Sequence, residues 1–216
     1  MEYRGPQDSD YENVRALNRA LLDLLAAGTA GDRWLAPLPG PLAERCRRLG
    51  VARRARLAGT PFLLLTFRET DTERWEGLLA AGRNRDLFAS APDARETPLL
   101  DATLGFAWQL ARANAYAARL LCGASLHWCE LVAEQPLVRV LAVAADAGLA
   151  GLRRADDPVL WQRLLTDCTA PDRTLCEAAR IAALQRVLTS VPGLPLKRAA
   201  RRLDGRTLRV ADESGR

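Results

Sequence analysis

The chain has 216 residues, 49% of them apolar, and 31 basic against 26 acidic residues give it a formal net charge of +5. A chain of this size and composition buries a substantial core without metal ions or disulfides, which excludes a small cross-linked scaffold. The charge excess is modest for the length and does not by itself indicate a polyanionic partner. Charged residues interrupt every long apolar stretch, and the amino-terminal residues lack the apolar segment of a signal peptide. We therefore expect a cytoplasmic protein with no membrane contact.

The first third of the chain predicts a series of short helices. Ser9-Asp10-Tyr11-Glu12 fits a capping box, and the leucines after it recur at helical spacing up to Gly28. Pro41 begins a second helix, and a strongly basic helix follows over residues 51–58.

The apolar run of residues 62–67 has no diagnostic period, so either helix or strand is open. Its Thr60-Pro61 start and its helical surroundings favour a helix. Thr70 and Glu73 fit another capping box, which predicts a helix that ends at Gly82.

The longest apolar region, from Thr97 to Gly148, is the predicted core. Thr97-Pro98 supplies an N-cap and a first-turn proline, and the apolar spacing after it predicts one helix of about six turns, closed by Gly123. Two helices follow it. Asp157-Pro158 and Pro171-Asp172 then begin the last two.

These elements predict an all-α fold, a compact orthogonal or bundle-like domain of eight to ten helices. We divide it into an N-terminal helical lobe (10–82), a polar connection (83–96), a C-terminal helical core (97–191) and a basic tail (194–216). Within the tail, residues 196–203 form either a short amphipathic helix that docks to a partner or part of a frayed terminus.

Few residues in the sequence indicate catalysis or metal binding. The one histidine, His127, needs a nucleophilic cysteine or serine and an orienting carboxylate to act in catalysis. Cys122 and Cys129 point about 140° and 160° away from it around a helix. They also lie about 10 Å apart along the helix axis, whereas two ligands of one zinc ion lie within about 4 Å of each other. We therefore predict no catalytic residue, metal site or cofactor, and keep an unfamiliar enzyme around His127 as an alternative.

Six arginines lie between Arg45 and Arg56, against the single acidic residue Glu44. Residues 46–51 have the spacing of a helix-turn-helix turn, although Arg56 occupies a position where such a motif needs an apolar residue. The cluster is either a solvated helix face or a nucleic-acid contact. In the second case the binding residues are Arg47, Arg48, Arg53, Arg54 and Arg56.

The absence of a recognisable catalytic constellation favours a non-catalytic helical module that acts in regulation or protein interaction. The expected partner is another protein or a second copy of the chain; a DNA-associated transcriptional regulator is the alternative, and no small-molecule ligand is inferred. Tryptophans are common anchors of interfaces. The candidate partner-binding residues are Trp34, Leu196, Arg198, Arg201 and Arg202.

Two segments of the first third, Leu-Asn-Arg-Ala-Leu-Leu at 17–22 and Arg-Leu-Ala-Gly-Thr-Pro-Phe-Leu-Leu-Leu-Thr-Phe-Arg at 56–68, resemble the family of the flagellar transcriptional activator FlhD. The resemblance implies an all-helical dimeric protein that acts on DNA together with a second protein. It implies no role for any particular residue, and it does not extend beyond residue 82.

Overall fold

The computed structural model describes residues 5–28, 32–81, 96–143 and 148–189. Eleven helices hold 70% of these residues, which confirms the all-α fold class. The helices are α1 (Asp8–Ala27), α2 (Asp32–Leu35), α3 (Gly40–Arg47), α4 (Val51–Ala58), α5 (Thr72–Ala80), α6 (Thr97–Ala113), α7 (Ala115–Cys122), α8 (Leu126–Ala133), α9 (Leu137–Val143), α10 (Pro158–Thr166) and α11 (Arg173–Thr189). Two short strands, β1 (Leu65–Thr66) and β2 (Gly151–Leu152), pair antiparallel. No helix in these ranges is both long and apolar enough to cross a membrane.

Helix ends follow local capping signals. Gly28 and Gly123 close α1 and α7 in the left-handed conformation, as predicted. The Asp157 side chain accepts a hydrogen bond from the Leu160 N–H at the predicted start of α10. Other starts differ by one or two residues. The Asp10 side chain accepts a hydrogen bond from the Gln7 N–H at the start of α1, so the capping box predicted at Ser9 was wrong. Helix α5 is capped by Asp71 rather than by Thr70.

The long helix predicted from Thr97 to Cys122 is two helices. Asn114 has φ and ψ angles of −157° and 85°, outside the helical region, and its side chain accepts a hydrogen bond from the Ala117 N–H, so it caps α7. This break contributes to a total of eleven described helices instead of the expected eight to ten. The predicted helix end at Gly82, the connection over 83–95 and the whole basic tail lie outside the described residues.

The helices pack around one apolar cluster. Helix α1 packs against α3, α4 and α6, while α6 also contacts α7, α8 and α9; α10 packs against α3 and α11. Buried side chains from both predicted lobes belong to this cluster, from Val14 in α1 to Ala183 in α11. The division into lobes stays a prediction.

An irregular segment, residues 59–69, belongs to this cluster and includes the apolar run 62–67, for which the sequence favoured a helix. That expectation was wrong: only Leu65 and Thr66 have a regular structure, as β1. Phe62, Leu63, Leu64 and Phe67 are nevertheless at most 1% exposed. A buried segment without helical hydrogen bonds must find other partners for its backbone polar groups.

Those partners come from distant parts of the chain. The Asn18 side chain of α1 donates to Phe62 O at 2.9 Å and accepts from the Leu64 N–H at 2.8 Å. The Leu63 N–H donates to Leu121 O at 2.8 Å, and the Trp75 indole N–H donates to Phe67 O at 2.9 Å. The segment is therefore held in place by tertiary hydrogen bonds.

Helices α10 and α11 are joined by an ion pair with a testable pH dependence. Both Asp157 carboxylate oxygens accept hydrogen bonds from the Arg186 guanidinium, at 2.6 and 3.0 Å. Burial opposes ionisation of Asp157, but hydrogen bonds from Arg186 and the Leu160 N–H and the charge of Arg154 outweigh it. The pKa of Asp157 therefore lies below its usual value.

Replacement of Asp157 by asparagine keeps the N-cap and removes the charge. Because the folded pKa is below the unfolded value of about 3.9, the stabilisation is present above that pH and is lost as pH falls through the folded pKa. We expect D157N to lower the free energy of unfolding by about 1–2 kcal/mol at pH 7, and by progressively less as the pH falls through the folded pKa of Asp157. Urea titrations at several pH values measure this difference, with D156N at the neighbouring exposed carboxylate as the control. A difference that stays constant with pH contradicts the role of the charge.

Candidate functional site

A buried ion pair lies beside the 59–69 segment. The Arg153 and Glu69 side chains are 6% and 2% exposed, and Arg153 Nη2 lies 3.2 Å from Glu69 Oε1. Glu69 Oε2 accepts a hydrogen bond from the Thr66 hydroxyl. Arg153 Nε and Nη2 also donate to Leu63 O at 2.6 Å and to Leu65 O at 3.1 Å. The guanidinium thus both neutralises a buried carboxylate and satisfies two backbone carbonyls.

The backbone around the pair fixes its position. Arg153 follows β2, where its N–H donates to Leu64 O at 2.7 Å, and the Trp161 indole N–H donates to Arg153 O at 3.0 Å. On the other side, the Ser125 N–H donates to Glu69 O at 3.2 Å. Each charged residue therefore has a backbone anchor as well as its side-chain contacts.

Gly123 leaves the space that the guanidinium fills. A Cβ atom built on Gly123 would lie 2.4 Å from Arg153 Nη1, and the φ angle of +62° at this position is itself unfavourable for a residue with a side chain. Gly123, which caps α7, is thus also the position at which the Arg153 guanidinium lies directly against the backbone.

Strained backbone flanks the pair. Arg68 and Arg154, the neighbours of Glu69 and Arg153, have φ angles of +54° and +51°, and they are the non-glycine residues with positive φ in the described part of the chain. Such conformations cost about 1–3 kcal/mol and cluster at functional sites. The pair also faces a pocket of about 110 Å³, lined by Thr66, Glu69, Thr70, Gly123, Arg153, Arg154 and Val187.

Sequence reasoning missed this site. Neither Glu69 nor Arg153 belongs to a motif, and they lie 84 positions apart. A signal for Asn18 was present, since it lies four residues after Val14 and three before Leu21 on the apolar face of α1. A polar residue in the middle of such a face indicates a buried hydrogen-bonding role.

The arginine cluster is largely committed to intramolecular contacts. Arg47 pairs with Asp32 at 2.8 Å, Arg54 pairs with Asp23 at 2.8 Å, and Arg56 Nε donates to Thr169 O at 2.8 Å. Arg48, 80% exposed, is paired with Glu44, and Arg53 is exposed on α4. Arg48 and Arg53 are therefore the members of this cluster whose guanidinium groups can reach phosphates with least rearrangement.

The tryptophans form core contacts in the folded chain. Trp34, Trp75, Trp128 and Trp161 are at most 2% exposed, and Trp75 packs edge-on against Trp128 with ring centroids 5.4 Å apart. Trp34 is thus removed from the accessible surface by the packing of α2, and its location does not support the partner-binding role predicted for it. The other predicted partner-binding residues, Leu196, Arg198, Arg201 and Arg202, lie outside the described residues.

His127 lies at the surface of α8, where its Nε2 atom is 3.0 Å from Glu76 Oε1 of α5. Both side chains are more than half exposed. The neighbouring Cys129 thiol points into the core instead, 4.0 Å from Ala115 O. His127 therefore has a carboxylate partner but no adjacent thiol in the described residues.

All five cysteines are buried, with free thiols. Burial raises the pKa of Cys46 and Cys168 to about 12 and that of Cys129 to about 11, and it raises the pKa of Cys122 as well. The Cys176 thiol donates to Cys168 O at 2.9 Å. In the described ranges no three histidine, cysteine or acidic side chains are grouped as metal ligands would be.

These thiols are expected to be unreactive in the native protein. At pH 8 a thiol with a pKa of 11 is only about one thousandth ionised, and the thiolate is the nucleophile. We expect 5,5′-dithiobis(2-nitrobenzoate) to label none of the five within minutes under native conditions and all five after denaturation. Rapid labelling of a thiol in the native protein would contradict the burial of the cysteines and would support the alternative of a cysteine-based enzyme.

No family model, curated protein or solved structure matches this chain. The resemblance to the FlhD family consequently stays a prediction.

Proposed function

We propose that the chain is a non-catalytic helical interaction module that associates with a second copy of itself through the outer face of α11. The observation that carries the proposal is an exposed apolar surface on this helix. Leu175, Ile181 and Leu188 are 50%, 59% and 44% exposed. Exposed large apolar groups that share one helix face are typical of an interaction surface.

Part of the exposed surface of α11 carries no charged side chain, although Arg173 and Glu177 are exposed elsewhere on the same helix. At 100° per residue, the arc of about 140° that runs from Leu188 to Leu175, beside the exposed Glu177, holds eight residues, none of them ionisable. They are Thr174, Leu175, Ala178, Ile181, Ala182, Gln185, Leu188 and Thr189. The opposite face is buried through Cys176, Ala179 and Ala183. We call the eight residues the α11 stripe.

A second copy is the partner that this chemistry fits best. In a symmetric dimer the same surface meets itself, so a charged patch opposes like charge whereas a neutral stripe does not. The exposed surface of α4 carries Arg53 with no acidic residue in the helix, and it would repel its own copy. The small residues Ala178 and Ala182 at the middle of the stripe allow two helices to approach closely.

Light scattering coupled to size-exclusion chromatography tests the proposal. We expect twice the chain mass of 23.6 kDa at the higher protein concentrations and a return to the monomer in the double variant I181E/L188E. The matched control is V159E, which places the same charge on an equally exposed apolar residue of α10 and leaves the dimer intact. A wild-type chain that is monomeric at every concentration, or a dimer that survives both stripe substitutions, overturns the proposal.

We also propose a cytoplasmic location, because five buried free thiols suit a reducing compartment. If DNA is a ligand, Arg48 and Arg53 provide about two phosphate contacts, and the logarithm of the affinity falls with the logarithm of salt concentration with a slope near −2. A steeper slope would require arginines that are now bound to protein groups, or basic residues outside the described ranges.

A further inference from the structure

We propose that residues 196–203 of the same chain fold back onto the α11 stripe and compete there with the second copy. The inference rests on the proposed function, because it adds a regulating segment to the same surface. The stripe then has two alternative occupants, the tail of its own chain and the α11 helix of another.

The sequence of residues 196–203 has the pattern of a short amphipathic helix. At 100° per residue, its four apolar side chains fall within an arc of about 100°, and its four basic side chains fall on the opposite arc. Pro195 fits the first helical turn, and Gly205 fits a position just after the end. The apolar residues are Leu196, Ala199, Ala200 and Leu203, and the basic ones are Lys197, Arg198, Arg201 and Arg202.

A helix of this length needs a surface to lie on. Helices shorter than about 12–15 residues are marginal in water, so residues 196–203 gain helical structure only where their apolar face is covered. The α11 stripe provides such a surface, since it carries no ionisable residue and exposes Ile181 and Leu188. Eight residues of helix extend about 12 Å, which matches the distance of about 10 Å along α11 between these two residues.

The connection between α11 and the tail is short enough to hold the two side by side. Residues 190–194 lie between Thr189, the last residue of α11, and Pro195. Antiparallel helices are joined by loops of about two to five residues, and Pro192-Gly193 suits the two central positions of a type II turn, which reverses the chain. A short connection gives the tail a local concentration of about millimolar at the stripe. A second copy has to exceed this concentration or bind more tightly to displace the tail.

Competition by the tail raises the protein concentration at which the dimer forms. Both stripes of a pair have to be open, so a tail that covers each stripe about half of the time leaves about a quarter of the pairs competent. The apparent dissociation constant of the dimer is then about four times that of the uncovered surface, and a more fully covered stripe raises it further.

Full-length variants of the tail test the competition. L196E/L203E places two charges on the apolar face of the tail and is expected to lower the dimer dissociation constant, measured by sedimentation velocity, about fourfold or more. The matched control K197Q/R202Q changes the net charge by the same amount but leaves the apolar face intact, and it is expected to leave the constant unchanged. An unchanged constant in L196E/L203E, or an equal fall in both variants, overturns the inference.

A photo-cross-link locates the tail independently of the dimer. p-Benzoylphenylalanine in place of Ala200, irradiated at a concentration where the chain is monomeric, is expected to cross-link within one chain to residues 178–189 of α11. The same probe in place of Lys197, on the basic face, is expected to give much less of this product. Mass spectrometry of the digested protein identifies the linked peptides, and the absence of a link from position 200 to α11 overturns the inference.

Failure of the dimer and failure of the tail give different results. A chain that is monomeric at every concentration, with or without the L196E/L203E substitutions, overturns the proposed dimer, while a cross-link from position 200 to α11 still supports the position of the tail on the stripe. A dimer whose affinity is unchanged in L196E/L203E overturns the role of the tail and leaves the dimer in place.

Discussion

Replacement of Asn18 by alanine is expected to lower the free energy of unfolding by on the order of 3–4 kcal/mol. The Asn18 amide donates to Phe62 O and lies 3.4 and 3.3 Å from Ala58 O and Thr60 Oγ1, while its carbonyl oxygen accepts from the Leu64 N–H. Alanine leaves the two shorter of these bonds unmade inside the core. Each buried polar group without a partner costs about 1–3 kcal/mol.

Urea unfolding measures this loss, and an unchanged denaturant slope shows that the native state is otherwise preserved. The matched control is R19A, the next residue of α1, which removes only an exposed pair with Asp23 and is expected to change stability by at most about 0.5 kcal/mol. N18D is a sharper test, because it replaces the amide donor with an oxygen that faces the Phe62 carbonyl. If N18A and R19A are equally stable, Asn18 does not hold the 59–69 segment.

Removal of either member of the Glu69–Arg153 pair is expected to cost about 3–5 kcal/mol. The reason is that E69L leaves a buried guanidinium and R153M leaves a buried carboxylate without a counter-charge. The double variant E69L/R153M is expected to be more stable than the sum of the two losses predicts, since no buried charge remains. It does not recover fully, because Leu63 O and Leu65 O lose their donors.

The control for this cycle is the exposed pair of Arg173 and Glu177, four residues apart on α11, with side chains 91% and 53% exposed. Its removal is expected to change stability by about 0.5 kcal/mol or less, since solvent screens both charges. Additive losses in the buried cycle would mean that Glu69 and Arg153 are not energetically coupled. Thermal or urea unfolding of the wild type, the two single variants and the double variant gives the four free energies of unfolding that the cycle needs.

Local sequence signals were sufficient to predict most of the helices. Gly28, Gly123 and the Asp157-Pro158 start each act within one turn of the chain, so the sequence around them predicts them directly. Asn114 was overlooked because the apolar spacing continues on both sides of it. Its capping preference was the available indication of a break.

The 59–69 segment could not be predicted from its neighbours. Its Thr-Pro start and apolar run are compatible with a helix, and the bonds that decide otherwise come from 46 positions earlier and 90 positions later. The candidate site shares this origin, since Glu69 belongs to the segment and Arg153 is its distant donor. The predicted arginines lie elsewhere and are mostly bound to nearby carboxylates and carbonyls, contacts that charge counting alone does not reveal.

The reliance of residues 59–69 on Arg153 has a consequence during synthesis. At about 5–20 residues per second, the ribosome needs about 4–17 seconds to extend the chain by the 84 positions from Glu69 to Arg153. For that interval the carbonyls of Leu63, Leu64 and Leu65 lack their donors on Arg153, and Phe-Leu-Leu-Leu-Thr-Phe has the uncharged, apolar composition of segments that aggregate. Pro61 on one side and Arg68-Glu69 on the other are the kind of gatekeepers that keep such a stretch from pairing with its copies on neighbouring nascent chains.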